Sequence, residues 1–116
     1  MALVALGVGP GDEVIVPSFS FIASANVILY TGASVVFADI DPRTFNVDPD
    51  DVERKVTKRT KAILPVDQIG LACDMDAINA VARKHGIVVV EDAAPTIGET
   101  YKGKPVGANA EAVCFS

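Results

Sequence analysis

The stretch Val88-Val89-Val90-Glu91-Asp92-Ala93-Ala94 constrains this chain more than any other. A run of β-branched apolar residues ends abruptly in two carboxylates, and small residues follow. Such a run lacks the polar alternation of a half-exposed strand, so it suits a strand buried on both faces of a parallel sheet. Its acids then fall at the carboxyl edge of that sheet, where α/β folds bind ligands. An aspartate there can do chemistry that a surface aspartate cannot.

The flanking sequence supplies partners for that strand. Met1 to Leu6 reads as the last turns of a helix, ended by Gly7 and Gly9-Pro10-Gly11. It carries no N-terminal cap, as though its front half were missing. Val14-Ile15-Val16 is a short buried strand closed by Pro17. Ser18 or Ser20 then caps a helix in which Phe21, Ala25, Ile28 and Leu29 make one apolar stripe. Ser34 to Ala38 is the next strand, and Asp39-Ile40-Asp41-Pro42 is a turn. Asp48-Pro49-Asp50-Asp51 starts a helix with a capping acid, proline at the first position and acids in the first turn. Val52 and Val56 are its apolar face. Lys61 to Val66 is a strand. Asp74 caps the clearest helix, with Met75, Ile78, Val81 and Ala82 facing inward and His85-Gly86 closing it. Tyr101-Lys102-Gly103-Lys104 reads as a hairpin turn, and Ala112 to Phe115 as a last short strand. Alternation of this kind predicts an α/β fold, a mostly parallel sheet with helices on both faces. No linker interrupts it, so residues 1–116 form one domain or part of one.

Composition narrows the function. The 116 residues are 50% hydrophobic and 22% charged, enough for a core and unlike a disordered tail. A net charge of −5 argues against a nucleic-acid partner or an anionic membrane surface, which call for clustered Lys and Arg. No window approaches the ~20 apolar residues of a membrane span. Cys73 and Cys114 lie far apart and read as small buried thiols in a reducing cytoplasm. With them and the single His85, no metal motif can be drawn. His85 itself reads as a helix-end residue that meets the last carbonyls or the dipole. Dinucleotide and P-loop glycine patterns are absent, as is a G-x-S-x-G elbow.

Three residues stand out as candidates for chemistry. Asp92 could hold a ring nitrogen protonated, or it could be a helix cap or loop acid. Phe21, at a strand-to-helix turn, could stack on a planar ligand, or it could be core. Ser116, after a strand, could hold a phosphate with its hydroxyl.

Taken in order, these pieces resemble the DegT/StrS-type sugar aminotransferases. The resemblance runs through Gly7 to Pro17, Ser20 to Asn26, Gly32-Ala33, Phe37 to Asp41 and Arg59 to Ile63. It continues through Asp74 to Ile78, His85-Gly86, Glu91 to Ala94, Tyr101 to Gly103 and Cys114 to Ser116. It implies the large domain of the aspartate-aminotransferase fold (fold type I) and a pyridoxal phosphate (PLP) cofactor. It also implies transfer of an amino group, usually from glutamate, to a keto group of a nucleotide-linked sugar. Enzymes of this kind serve cell-surface polysaccharide or antibiotic sugar synthesis and assemble as homodimers. By this resemblance Asp92 pairs with the pyridine nitrogen, Phe21 stacks on the ring and Ser116 binds the phosphate.

The departures are equally specific. Pro95 stands where many members carry Gln or His near the cofactor hydroxyl, and proline has no side-chain donor. Asp67 and Ile69 stand where His and Tyr are frequent. The family's Schiff-base lysine would fall beyond Ser116 and its Gly-Thr phosphate turn before Met1. Lys55, Lys58, Lys61, Lys84, Lys102 and Lys104 all sit in segments that read as exposed. The expectation is therefore a partial large domain without the C-terminal small domain, inactive alone, with apolar faces at Met1–Leu6 and Val113–Phe115 left for association. Two other readings compete. One is a non-catalytic binding or assembly module on the same sheet. The other is a receiver domain, which would need paired acids where the first strand here ends in Pro17-Ser18.

Overall fold

The computed structural model describes all residues from Met1 to Ser116. Seven strands and four helices alternate along the chain. Helix α1 (Ala2–Ala5) precedes β1 (Glu13–Pro17), α2 (Ile22–Leu29), β2 (Ser34–Ala38), α3 (Pro49–Lys55) and β3 (Thr60–Ile63). Helix α4 (Met75–His85), β4 (Val88–Asp92), the hairpin β5 (Thr100–Tyr101) and β6 (Lys104–Pro105), and β7 (Ala112–Cys114) complete it. Five strands form one sheet in the order β2-β1-β3-β4-β7, and every pairing in it is parallel.

That order has a physical consequence. From β1 the chain steps one way to β2, then crosses back past β1 to β3 and on to β4. Right-handed crossovers that reverse direction must place their helices on opposite faces. Accordingly, Ile28 of α2 and Leu3 of α1 join one core with Val14, Val16, Leu64 and Val90. Val52 of α3 and Met75, Ile78, Val81 and Ala82 of α4 join the other with Ile15, Ile63 and Val89. Every residue of β1 is buried. Val14, Ile15 and Val16 are each fully sequestered, which stabilises the sheet by about 1.5–3 kcal/mol per side chain.

Local signals account for most element ends. The Asp48 carboxylate accepts from the Asp50 amide and Pro49 opens α3. Asp74 accepts from the Ala77 amide, and Gly86, left-handed at φ 67°, closes α4. Lys102 and Gly103 both take positive φ, as the two-residue turn between β5 and β6 requires. Helix α2 departs from the sequence reading. Neither Ser18 nor Ser20 caps it; Phe21 occupies the cap position without a side-chain hydrogen bond. Its buried residues are Ser24 and Ile28, while Phe21 and Leu29 are exposed. Of the expected stripe Phe21, Ala25, Ile28 and Leu29, only Ile28 is buried. No helix is long and apolar enough to cross a membrane.

Candidate functional site

The order in which the chain adds strands reverses between β1 and β3, and a cleft opens beside the carboxyl ends of the strands. It encloses ≈ 350 Å³, within the range of small-molecule sites. Ser20 and Phe21 enter it from the turn after β1, and Ser24 from α2. Val66 and Gln68 follow β3, Asp92 ends β4, Ala94 and Pro95 follow it, and Cys114 to Ser116 arrive with β7. The three candidates Asp92, Phe21 and Ser116 therefore meet in one place, with Pro95 beside them.

Asp92 is held on every side. Its amide donates to the Pro65 carbonyl at 2.9 Å and its carbonyl accepts from the Asp67 amide at 3.1 Å. Its side chain is held too: Oδ2 accepts from the Ser24 hydroxyl at 2.9 Å and Oδ1 from the Ala94 amide at 3.3 Å. The Ser24 oxygen in turn accepts from the Ser20 hydroxyl at 3.0 Å. Sequence reasoning missed Ser20 and Ser24 as partners of this acid. Their signal was the i, i+4 spacing of two hydroxyls on one edge of a helix.

Phe21 is 78% exposed, so the alternative of a core residue is set aside. Its extended backbone at the mouth of α2 presents the ring beside the cleft. Ser116 and Pro95 are exposed cleft-wall residues. The loop bearing Pro95 is anchored by the Ala93 amide, which donates to the Cys114 carbonyl at 2.9 Å. Cys114 corrects the reading of both cysteines as buried: only Cys73 is, and Cys114 is exposed at the cleft.

Behind and beside the cleft lies a second set of polar groups, all of them buried. Asp67 is fully buried; it accepts from the Cys73 amide at 2.9 Å and the Thr96 hydroxyl at 3.0 Å. The Gln68 side chain donates to the Phe19 carbonyl at 2.6 Å, and its backbone amide donates to Asn46 Oδ1 at 2.8 Å. Glu91 is 1% exposed and its Oε2 has no hydrogen-bond partner. Burial raises its pKa to about 7, the charge of nearby Asp67 adds to the rise, and the Gly107 backbone opposes it. Burial likewise pushes the Cys73 thiol up, so it is an inert core group. Ile69, next to Gln68, sits at φ 54° with its side chain 75% exposed, an unfavourable conformation for a β-branched residue.

Other sequence candidates lie elsewhere. All six lysines are exposed and none lines the cleft. His85 does not serve the helix carbonyls; its Nε2 meets Glu53 Oε1 at 2.9 Å, beside Lys84 at 2.6 Å from the same oxygen. Hydrogen bonds from Lys84 and His85 hold the Glu53 carboxyl below its usual range.

The whole chain, residues 1–116, matches the model of the DegT/DnrJ/EryC1/StrS aminotransferase family. The chain belongs to that family. It is 55% identical over 116 residues to a GDP-perosamine synthase of Caulobacter vibrioides, covering 100% of this chain and 31% of that protein. It is 57% identical over 100 residues to a UDP-2-acetamido-2-deoxy-3-oxo-D-glucuronate aminotransferase of Pseudomonas aeruginosa, covering 86% of this chain and 28% of the other. The chain thus spans about a third of the length of the curated relatives it matches. A putative sugar aminotransferase from Streptococcus pneumoniae, solved in its PLP-form, superposes with a TM-score of 0.94 at 41% identity. That match covers 99% of this chain and 33% of the other, which is also solved in a PMP-form. The parallel sheet with its flanking helices is the fold type I architecture of these enzymes. The family and its PLP and PMP forms support pyridoxal phosphate as cofactor of the complete enzyme. The residues here suit it. An acceptor-only carboxylate, an exposed aromatic ring and a free hydroxyl are the donor set that a protonated pyridine, its π face and a phosphate require.

Proposed function

We propose that this chain builds the cofactor-binding part of an aminotransferase acting on a nucleotide-linked keto sugar, with glutamate as amino donor. The observation that carries this reading is Asp92, a carboxylate at the end of a parallel strand, tied at both oxygens inside a cleft shared with Phe21, Pro95 and Ser116. Relatives whose names carry a GDP- or UDP-linked sugar support the substrate class.

Bound pyridoxal phosphate supplies an electron sink for the charge left when an α-proton departs. In this reading Asp92 pairs with the pyridine nitrogen and keeps its proton in place. Phe21 covers one ring face and excludes water from it. The Ser116 hydroxyl donates to the phosphate. Pro95 contributes an apolar wall to the cleft and offers a bound cofactor no side-chain donor. Covalent attachment of the cofactor needs an amine, and none of the chain's lysines lines the cleft. The chain by itself is then a partial large domain, inactive without further segments that supply the lysine and the small domain. The free thiols of Cys73 and Cys114 support a reducing, cytoplasmic setting, and homodimer assembly goes with the reading.

The test uses the full-length protein with pyridoxal phosphate, glutamate and GDP- or UDP-linked keto sugars. The expected result is amino-sugar formation matched mole for mole by 2-oxoglutarate. No product with any of these sugars, from protein that has bound the cofactor, would overturn the substrate class. Chain 1–116 alone, mixed with the cofactor, reduced with borohydride and weighed, should carry no stoichiometric adduct at one lysine.

A further inference from the structure

The geometry points to Ser24 as the positioning residue that fixes the Asp92 carboxylate, with Ser20 setting the direction of its proton. The inference rests on the cofactor role proposed for Asp92 and adds the device that orients it.

The argument starts from what remains free on Asp92. Its backbone is pinned on both sides by Pro65 and Asp67, so only the side-chain torsions can vary. The Ala94 amide holds Oδ1 and the Ser24 hydroxyl holds Oδ2, at 3.3 and 2.9 Å. Two donors on opposite oxygens fix both the position and the plane of a carboxylate, while each oxygen keeps a further lone pair for a ligand.

Ser24 is suited to this in a way its type does not guarantee. A serine inside a helix often returns its proton to the carbonyl four residues back. Ser24 is 5% exposed, packed between α2 and the sheet edge, and its proton goes across to β4 instead. The serine hydroxyl has one proton and two lone pairs. Ser20, one turn earlier, fills a lone pair of Ser24 by donating at 3.0 Å. With that lone pair occupied, the Ser24 proton is directed at Asp92. The order Ser20, Ser24, Asp92 is a directed chain of hydrogen bonds in which each link polarises the next. Phe21 lies on the same turn, so the helix that offers the ring also aligns the acid.

The experiment uses the full-length protein and pyridoxal 5′-phosphate as probe, with Ser24→Ala, Ser24→Thr, Ser20→Ala and Asp92→Asn compared. Two quantities are read: the dissociation constant of the cofactor from apo-protein, and the pH midpoint of the bound cofactor's pyridine nitrogen, followed by nitrogen NMR. Losing one hydrogen bond to a charged group should weaken cofactor binding roughly ten-fold in Ser24→Ala. It should also move the pH midpoint down, because a loosened carboxylate favours the protonated ring less. Ser24→Thr keeps the donor and should restore both within roughly two-fold. Ser20→Ala, at a half-buried position, should give a smaller loss of roughly two- to three-fold with the same direction of change.

A Ser24→Ala protein with parental affinity and midpoint, alongside an impaired Asp92→Asn, overturns the positioning role and leaves the Asp92 reading intact. A parental Asp92→Asn overturns the reading beneath it. Should Ser24→Ala fail to fold, Ser20→Ala decides: an unmoved midpoint and dissociation constant sink the relay.

Discussion

Glu91 and Asp92 are neighbours in the chain and serve opposite sides of the sheet. Asp92 reaches Ser24 on the α2 side, at the cleft. Glu91 turns inward to the neighbourhood of Asp67 and Cys73, among residues packed under α4. Strand alternation makes this unavoidable. One strand end therefore delivers an acid to the cleft and a second acid to the interior.

The interior acid makes stability depend on pH. The folded pKa of Glu91, about 7, lies above its ordinary 4.5. The native chain then binds more protons than the unfolded chain between those values, so this group's contribution falls as pH rises through the window and levels off above it. At about 1.4 kcal/mol for each pH unit crossed, the penalty is on the order of 1–3 kcal/mol. Glu91→Gln stays neutral and can donate to Asp67. Urea unfolding of the chain from pH 5 to 8 should show the variant gaining on the parent as pH rises. A constant difference between the two would refute the assignment.

The outward acid is tested by Asp92→Asn in the full-length protein. The substitution keeps the shape and the hydrogen bond from Ser24 but removes the charge. Removing one preorganised electrostatic group typically lowers turnover by roughly 10²–10³, and the loss here should be at least that large while cofactor still binds. Near-parental kcat would remove Asp92 from its proposed role.

Glu111 completes the sheet where no strand does. The Val89 amide donates to its Oε2 at 2.6 Å, and its own amide donates back to the Val89 carbonyl at 3.1 Å. Glu111→Ala leaves the amide of a fully buried residue without its acceptor, a loss of about 1–3 kcal/mol. Glu111→Gln keeps an acceptor and should lose less. Equal denaturation midpoints for the two variants would count against this account.

Much of this architecture was legible because its causes are local. Asp48-Pro49 and Asp74 to Gly86 mark helix ends through contacts within a few residues. The Val88–Asp92 run marks a buried strand through composition alone. The face of α2 was not legible in this way. It is apolar almost all round, so what packs against it, and not its own pattern, decides that Ser24 and Ile28 go in while Phe21 and Leu29 stay out. The pairings of Ser24 with Asp92 and of Glu91 with Asp67 join residues far apart in sequence, and only the strand order brings them together. Cys114 failed for the same reason: its exposure depends on β7 being an edge.

Ile69 carries backbone strain at the cleft margin. A β-branched residue in the left-handed region is unfavourable by about 1–3 kcal/mol, and at 75% exposure its side chain recovers little by packing. Asparagine tolerates this conformation. Ile69→Asn should therefore stabilise the chain by about 1 kcal/mol, a rise of about 4 °C in Tm. A lower Tm by calorimetry would mean that the exposed isoleucine has packing partners.

The last expectation concerns the surface that α2 and the sheet edges leave open. Strands β2 and β7 each pair on one side only. Phe21, Ile22, Leu29 and Tyr30 crowd one exposed side of α2 and its ends, and Phe37 on β2 is more than half exposed. Unpaired edges beside an apolar patch favour association. Chain 1–116 should sediment as a dimer or larger species at low micromolar concentration. A stable monomer with a sharp cooperative melt would show instead that the chain closes its own core. Ile22→Lys with Leu29→Lys places charge on that face and leaves the buried Ser24 and Ile28 side untouched. The pair should shift the sedimenting species toward monomer without loss of helix signal, because the contact it removes lies between chains and not within one.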